Sequence, residues 1–207
     1  SQAIEMAREG RWFVQTLADV PDYYKGPLHY ILTRVGFLIF GFNLLAVTYM
    51  NWLFALLGAI SFFFLGTKWK NEKTGTILGL AFALNIGIFS HSFASQMEVE
   101  LCGFYAIATA LLGISSLQKK KSGNFIQKYL QDLPFWIVAG LAGLSKSPLH
   151  SFLIGLGALT FWLFEGTLIK RVKSPAAWLS ALTGVFTCVA GYLPAYLLDQ
   201  KNFLEIF

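Results

Sequence analysis

Six apolar runs, parted by short polar connections, organise this chain. They cover residues 43–65, 76–90, 101–117, 133–144, 149–164 and 175–198. A helix of about 20 apolar residues crosses the hydrocarbon core of a bilayer, and the first run is long enough to do so. Pro194 is expected to kink the last one. Residues 27–40 are also apolar, but the stretch is short and carries Arg34. That pattern predicts a helix lying in the membrane interface. Upstream, residues 4–12 set Ile4, Met6 and Ala7 against Glu5, Arg8 and Glu9 as a short amphipathic segment, and residues 19–22 read as a turn. The predicted fold is all-α and integral to the membrane: a polytopic helical bundle of about six transmembrane helices with N-terminal interfacial helices.

Composition supports this pattern. The 207 residues are 56% hydrophobic and 13% charged, with a mean hydropathy of +0.58, which excludes an ordinary soluble domain. The net charge of +5 does not point to nucleic acid, because the basic residues gather in the short connections. Lysine and arginine favour the cytoplasmic side. Alternate connections carry them: Lys68, Lys70 and Lys73; Lys119, Lys120, Lys121 and Lys128; Lys170, Arg171 and Lys173. The intervening turns, at 91–100 and at Lys146, hold only Lys146. The N-terminal region, the polar patch at 91–100 and Lys146 are therefore expected on the extracytoplasmic face. The chain then divides into an extracytoplasmic loop with interfacial helices (1–42), a transmembrane bundle (43–198) and the start of a further extracytoplasmic segment (199–207). Cys102 and Cys188 both fall in apolar runs, where a free cysteine behaves as a small buried apolar residue. The chain lacks an initiator Met and a signal-peptide core, and reads as a piece of something longer.

One pentapeptide, Lys-x-Pro-Leu-His, occurs twice, at residues 25–29 and 146–150. Proline is at home in the first turn of a helix, so each copy predicts a helix start with a lysine just ahead of it. Helix N-termini offer free backbone N–H groups and partial positive charge, which suit phosphate. Both copies are expected on one face. The plain alternative for Lys25 is an interfacial lysine reaching for headgroups; for Lys146 it is an exposed loop residue. Glu98 and Glu100 open the third run and, two residues apart on a helix, point to different sides. Glu98 is the one favoured to face a shared cavity. His91, His29 and His150 are candidates to contact an anion or a carboxylate. No HExxH, no CxxC and no glycine-rich nucleotide loop is present, so no metal site is assigned. Glycines such as Gly140, Gly143, Gly155 and Gly157 lie in apolar runs, where small residues let helices approach closely.

The stretch from Ala7 to Trp12 (Ala-Arg-Glu-Gly-Arg-Trp), followed by Tyr24-Lys25-Gly26-Pro27-Leu28-His29-Tyr30, resembles the first extracytoplasmic loop of the GT-C glycosyltransferases. The aminoarabinose-transferase-like and protein-mannosyltransferase-like branch is the most similar. Gly26 stands where a proline is usual and Ile31 where tryptophan is common. Residues 92–104 resemble the next loop of that family, with Glu98 in place of the usual aspartate. Residues 140–149, Gly-Leu-Ala-Gly-Leu-Ser-Lys-Ser-Pro-Leu, resemble a later Gly-Leu-x-x-Leu-Thr-Lys-Gly-Pro-Leu motif.

This resemblance implies an inverting GT-C glycosyltransferase in the bacterial inner membrane. It would move a sugar from a polyprenyl-phosphate donor to a lipid, glycan or protein acceptor on the extracytoplasmic face. Lys25, Lys146 and His29 would bind the donor phosphate, and Tyr24, His91 and Arg8 the substrates. Glu98 would be a second acidic catalytic residue, because the family's main aspartate would fall just before Ser1. On that count the chain is a fragment, or one part of a split enzyme, and possesses no complete site of its own. The polyprenyl tail is expected along residues 35–42. No definite cofactor is implied, and a divalent metal ion is left open. The competing class is a non-enzymatic polytopic protein, a transporter or lipid-binding scaffold. A transporter would place ionisable residues at mid-membrane, whereas here they gather at one face, Glu165 apart.

Overall fold

The computed structural model describes residues 2–18, 20–23, 25–94, 96–117 and 124–206, without the side chains of 205 and 206. Helix α1 (Gln2–Arg8), strands β1 (Thr16–Leu17) and β2 (Val20–Pro21) and helix α2 (Pro27–Phe40) make the N-terminal segment. The bundle follows as α3 (Leu44–Trp69), α4 (Glu72–Ala83), α5 (Ile86–His91), α6 (Glu98–Leu117), α7 (Phe125–Ser145), α8 (Pro148–Phe164), α9 (Leu168–Val172) and α10 (Pro175–Leu198), with α11 (Gln200–Ile206) behind it. The polytopic all-helical bundle read from the apolar runs is the fold observed. Helices α3, α6 and α10 are each long and apolar enough to cross a membrane; α2 and α8 are shorter apolar helices.

Two residue types set most helix starts. Pro27, Pro148 and Pro175 each open a helix in its first turn, where the missing N–H leaves no bond unmade. Asn43, Asn71, Asn85 and Asn124 cap the starts of α3, α4, α5 and α7, each side-chain oxygen accepting a backbone N–H of the first turn. Asn85 explains one departure from the sequence reading. The second apolar run is not one helix: a new helix is capped at Asn85 and the run divides into α4 and α5. Asn124 explains another, since α7 begins eight residues before the apolar run at 133. The turn expected at 19–22 is the end of the small antiparallel hairpin β1–β2, with Asp19 itself outside the described residues.

Met50 and Phe54 of α3, Phe104 and Ala108 of α6, Phe135 and Ala139 of α7 and Ile154 and Trp162 of α8 form the buried core. A second cluster joins Ala3 and Met6 of α1 to Tyr30 and Phe37 of α2 and to Met97, fastening the N-terminal segment to the bundle. Helices α7 and α10 cross at glycine. A Cβ on Gly184 would stand 2.5 Å from the Trp136 carbonyl oxygen, and one on Gly140 would be 2.9 Å from Thr187 Cβ. Gly157, by contrast, meets nothing within 4 Å and serves no close approach. Cys188 is buried, but Cys102 lies on the outer surface of α6 and is not the buried residue expected; both are free thiols.

The contacts divide the bundle into two ends. Ser116 of α6 donates to Glu165 after α8, and Arg171 of α9 pairs with Asp132 of α7. These contacts gather the C-terminal ends of α6 and α8 with the N-terminal part of α7. Arg171 is not a solvated loop cation. Its guanidinium is turned inward onto Asp132 and stands 5.1 Å from the centre of the Trp162 ring. Removing one partner of a buried pair leaves an uncompensated charge, at a cost of about 3–5 kcal/mol. Asp132→Ala is therefore expected to lower the thermal unfolding temperature of the protein in detergent markedly. Lys128→Ala, an exposed cation on the same helix, should leave it unchanged. Lys119, Lys120 and Lys121 lie outside the described residues.

Candidate active site

The opposite end of the bundle brings the two Lys-x-Pro-Leu-His copies into contact. The Gly26 N–H donates to the Lys146 carbonyl oxygen at 2.7 Å. Gly26 sits in an extended conformation (φ −63°, ψ 148°) as the N-cap of α2. A Cβ there would lie 2.6 Å from the Leu144 carbonyl carbon and 3.1 Å from the Lys146 nitrogen. The turn before α2 thus rests directly on the turn between α7 and α8. The N-termini of α2 and α8 meet at this junction, each preceded by its lysine.

The two lysines differ. Lys25 is exposed and, among the described residues, forms no ion pair. Lys146 reaches Glu98 at the start of α6, Nζ to Oε1 at 3.2 Å, with both side chains partly open to solvent. Glu98 therefore faces the same exterior as the lysines. Glu100 faces inward and is fully buried. Its Oε2 meets His29 Nδ1 at 3.0 Å, and its Oε1 accepts from Ser145 Oγ at 2.7 Å. On the sequence, Glu98 is favoured over Glu100 for a shared cavity; the structure sets Glu98 on the outside and Glu100 within. The flanking residues carry no signal that separates them, since Glu98 lies between Met97 and Val99 much as Glu100 lies between Val99 and Leu101.

His29 accordingly points into the protein, against Glu100, and its ring is also edge-on to Tyr30. His150 lies near the surface of α8 and shares a hydrogen bond with the Tyr105 hydroxyl, 3.1 Å from its Nδ1. His91 is exposed at the end of α5; its carbonyl and that of Ala94 accept from Asn51 Nδ2, at 3.3 and 2.6 Å. Arg8 is exposed at the end of α1. Tyr24 lies outside the described residues. The structure thus joins Lys25, Lys146, Glu98 and His29 around one junction and adds Glu100 and Ser145. Among the described residues, no contact draws Arg8 into it.

Several ties hold the loop that carries Lys25, among them Gln2 Nε2 donating to Asp22 Oδ2 at 2.7 Å. Arg34 of α2 bonds the Arg11 carbonyl and lies 3.8 Å over the Trp12 ring. Tyr23 donates to Asp199 Oδ2 at 2.8 Å, just beyond α10. Burial, and then the hydrogen bond and charge of Asp199, push the Tyr23 hydroxyl well above its ordinary value, so it stays a proton donor. A cavity of about 650 Å³ lies beside this loop, lined by Arg11, Trp12, Thr16, Asp199 and Asn202.

A larger apolar groove of about 700 Å³ runs between α7, α8 and α10, past Trp136, Ser151, Trp162, Cys188 and Tyr192. Pro148, two residues from Lys146, borders it. In the segment 35–42, Leu38 to Phe40 and Phe42 stand exposed on the surface. Among the described residues, no group of three or more His, Cys, Asp or Glu could hold a metal ion.

The fold defines a class, the polytopic helical membrane proteins. More narrowly, the chain belongs to the dolichyl-phosphate-mannose-protein mannosyltransferase family, whose pattern matches residues 24–194. The fold is also that of ArnT from Cupriavidus metallidurans. Its crystal structure bound to undecaprenyl phosphate superposes with a TM-score of 0.81 at 18% identity, over 97% of this chain. The apo structure of the same protein gives 0.78 at 18% identity over 99%. The chain spans 36% and 37% of the length of those solved chains. No curated protein matches it.

Proposed function

We propose that this chain belongs to a membrane glycosyltransferase of the inverting GT-C type, and that it supplies the site for the donor's phosphate. The donor is a sugar on a polyprenyl phosphate, and the acceptor a lipid, glycan or protein. The observation that carries this reading is the contact between the two lysine-bearing turns, which sets two cations and two helix N-termini around one exposed junction. An apolar groove bordered by Pro148, two residues after Lys146, suits a polyprenyl tail.

The chemistry follows from charge. The acceptor oxygen attacks the anomeric carbon from the side opposite the phosphate. The sugar–phosphate C–O bond breaks and its electron pair leaves on the phosphate oxygen, while the acceptor proton passes to a carboxylate. Cations fixed where that negative charge grows lower the barrier. Lys25 takes this role and Lys146 supports it. Glu98 is the carboxylate of this chain assigned to the acceptor side. His29 serves the phosphate indirectly, through Glu100. Tyr24, His91 and Arg8 are assigned to the sugar and acceptor around the same end.

The basic connections at the other end favour the cytoplasm. The junction is therefore assigned to the extracytoplasmic face of a bacterial inner membrane, with residues 1–42 and 199–207 on that side and 43–198 in the bilayer. The test is transfer by the protein that carries this chain, in nanodiscs, from a radiolabelled polyprenyl-phosphate sugar. Label is expected to move to an acceptor extracted from the same membranes. Binding of undecaprenyl phosphate without any transfer would replace the reading with a lipid-binding scaffold.

A further inference from the structure

We propose that Glu100 is the positioning residue of the donor site: its buried carboxylate, held by His29 and Ser145, fixes the spacing of the two lysine-bearing turns. The inference rests on the donor-site reading above and extends it to a residue that meets no ligand.

The geometry is specific. The two oxygens of Glu100 are divided between two helices, one bonded to His29 of α2 and the other to Ser145 of α7. His29 lies one helical turn after Lys25, and Ser145 is the residue immediately before Lys146. On α6 itself, Glu98 stands two residues ahead of Glu100 and holds Lys146 from outside. The Gly26 N–H closes the arrangement on the Lys146 carbonyl. Every one of these ties therefore ends within one turn of a lysine, and the three side-chain ties start from the beginning of α6.

Physical chemistry assigns this arrangement its effect. Apolar contact is non-directional, so at the lysine end packing alone does little to fix α2; the Tyr49 hydroxyl, bonded to the Leu32 carbonyl at 2.7 Å, holds it only farther along. A fully buried carboxyl group tolerates no such freedom, because a shift of α2 against α7 breaks at least one of its hydrogen bonds and leaves a buried polar atom without its partner. Satisfied interior networks of this kind select one arrangement. Two cations grip a phosphate best when their spacing is fixed before it arrives. Glu100 supplies that fixity from beneath.

The experiment uses the protein that carries this chain, in nanodiscs, with undecaprenyl phosphate as the probe and thermal unfolding read in parallel. Glu100→Met keeps the volume and removes both ties. Glu100→Gln keeps both, with its oxygen accepting from Ser145 and its amide N–H donating to His29 Nδ1 once the imidazole carries its proton on Nε2. Per folded molecule, Glu100→Met is expected to weaken undecaprenyl phosphate binding by about tenfold or more, with the KM for acceptor unchanged. Glu100→Gln should restore most of the affinity. A folded Glu100→Met protein with wild-type affinity overturns the proposal. A Glu100→Gln protein as weak as Glu100→Met also overturns it, because the carboxylate charge and not its ties would then matter. Should Glu100→Met not accumulate as folded protein, Ser145→Ala, which removes one tie only, takes its place under the same criterion. Failure of the underlying donor-site reading is distinguishable: Lys25→Ala would then bind undecaprenyl phosphate as the wild type does.

Discussion

Gly26→Ala is expected to cripple the site although it adds a single methyl group. At φ −63° and ψ 148° alanine suits the backbone as well as glycine does, so local strain is not the cause. The obstacle is the neighbouring turn. The added Cβ would stand 2.6 Å from the Leu144 carbonyl carbon and 3.1 Å from the Lys146 nitrogen. Both are backbone atoms and cannot rotate aside. Overpacking of this kind costs about 1–3 kcal/mol, and relief requires the two turns to part. That movement breaks the bond from Gly26 N–H to the Lys146 oxygen and carries Lys25 away from Lys146. Gly26→Ala should therefore lose most donor binding and transfer while the bundle still unfolds cooperatively. Gly157→Ala is the matched control, since nothing lies within 4 Å of its Cβ position, and it should behave as wild type in both assays.

Lys25→Ala is expected to have the largest effect on chemistry. Removing one group aimed at developing charge typically costs about 100-fold in rate. Lys25 is exposed and, among the described residues, unpaired, so its full charge is available to a phosphate. Lys146 is partly neutralised by Glu98 at 3.2 Å. Lys146→Ala should therefore reduce kcat/KM by less than Lys25→Ala does. The order matters, because equal losses would mean that the Glu98 pair opens when the donor arrives.

Much of this was legible in the residues, for reasons that can be stated. Length and hydropathy mark membrane helices because backbone groups in lipid must bond within their own segment; hence the bundle, and α2 at 27–40 to the residue. The Pro-Leu pairs marked the starts of α2 and α8 because proline is suited to the first turn. The asparagine caps carry an equally physical signal, and weighing Asn85 and Asn124 would have broken the second run and lengthened the fourth. What stayed hidden was contact at long range. Glu98 and Glu100 are near-identical in the sequence, and only the approach of α2 and α7 separates an outward acid from a buried one. Arg171 likewise counts as a loop cation until Asp132, 39 positions away, is seen facing it. Nothing in the repeat itself shows that its copies touch.

The measurement that bears most directly on the account is a comparison of undecaprenyl phosphate with undecaprenol. Both are titrated into nanodiscs holding the protein that carries this chain, and into its Lys25→Ala variant. The tails are identical, so the difference reports the phosphate alone. The phosphate is expected to bind about tenfold or more tightly than the alcohol, rising salt to narrow the gap, and Lys25→Ala to remove most of it. Equal binding of the two lipids, or a phosphate preference that survives Lys25→Ala intact, would contradict the donor-site reading.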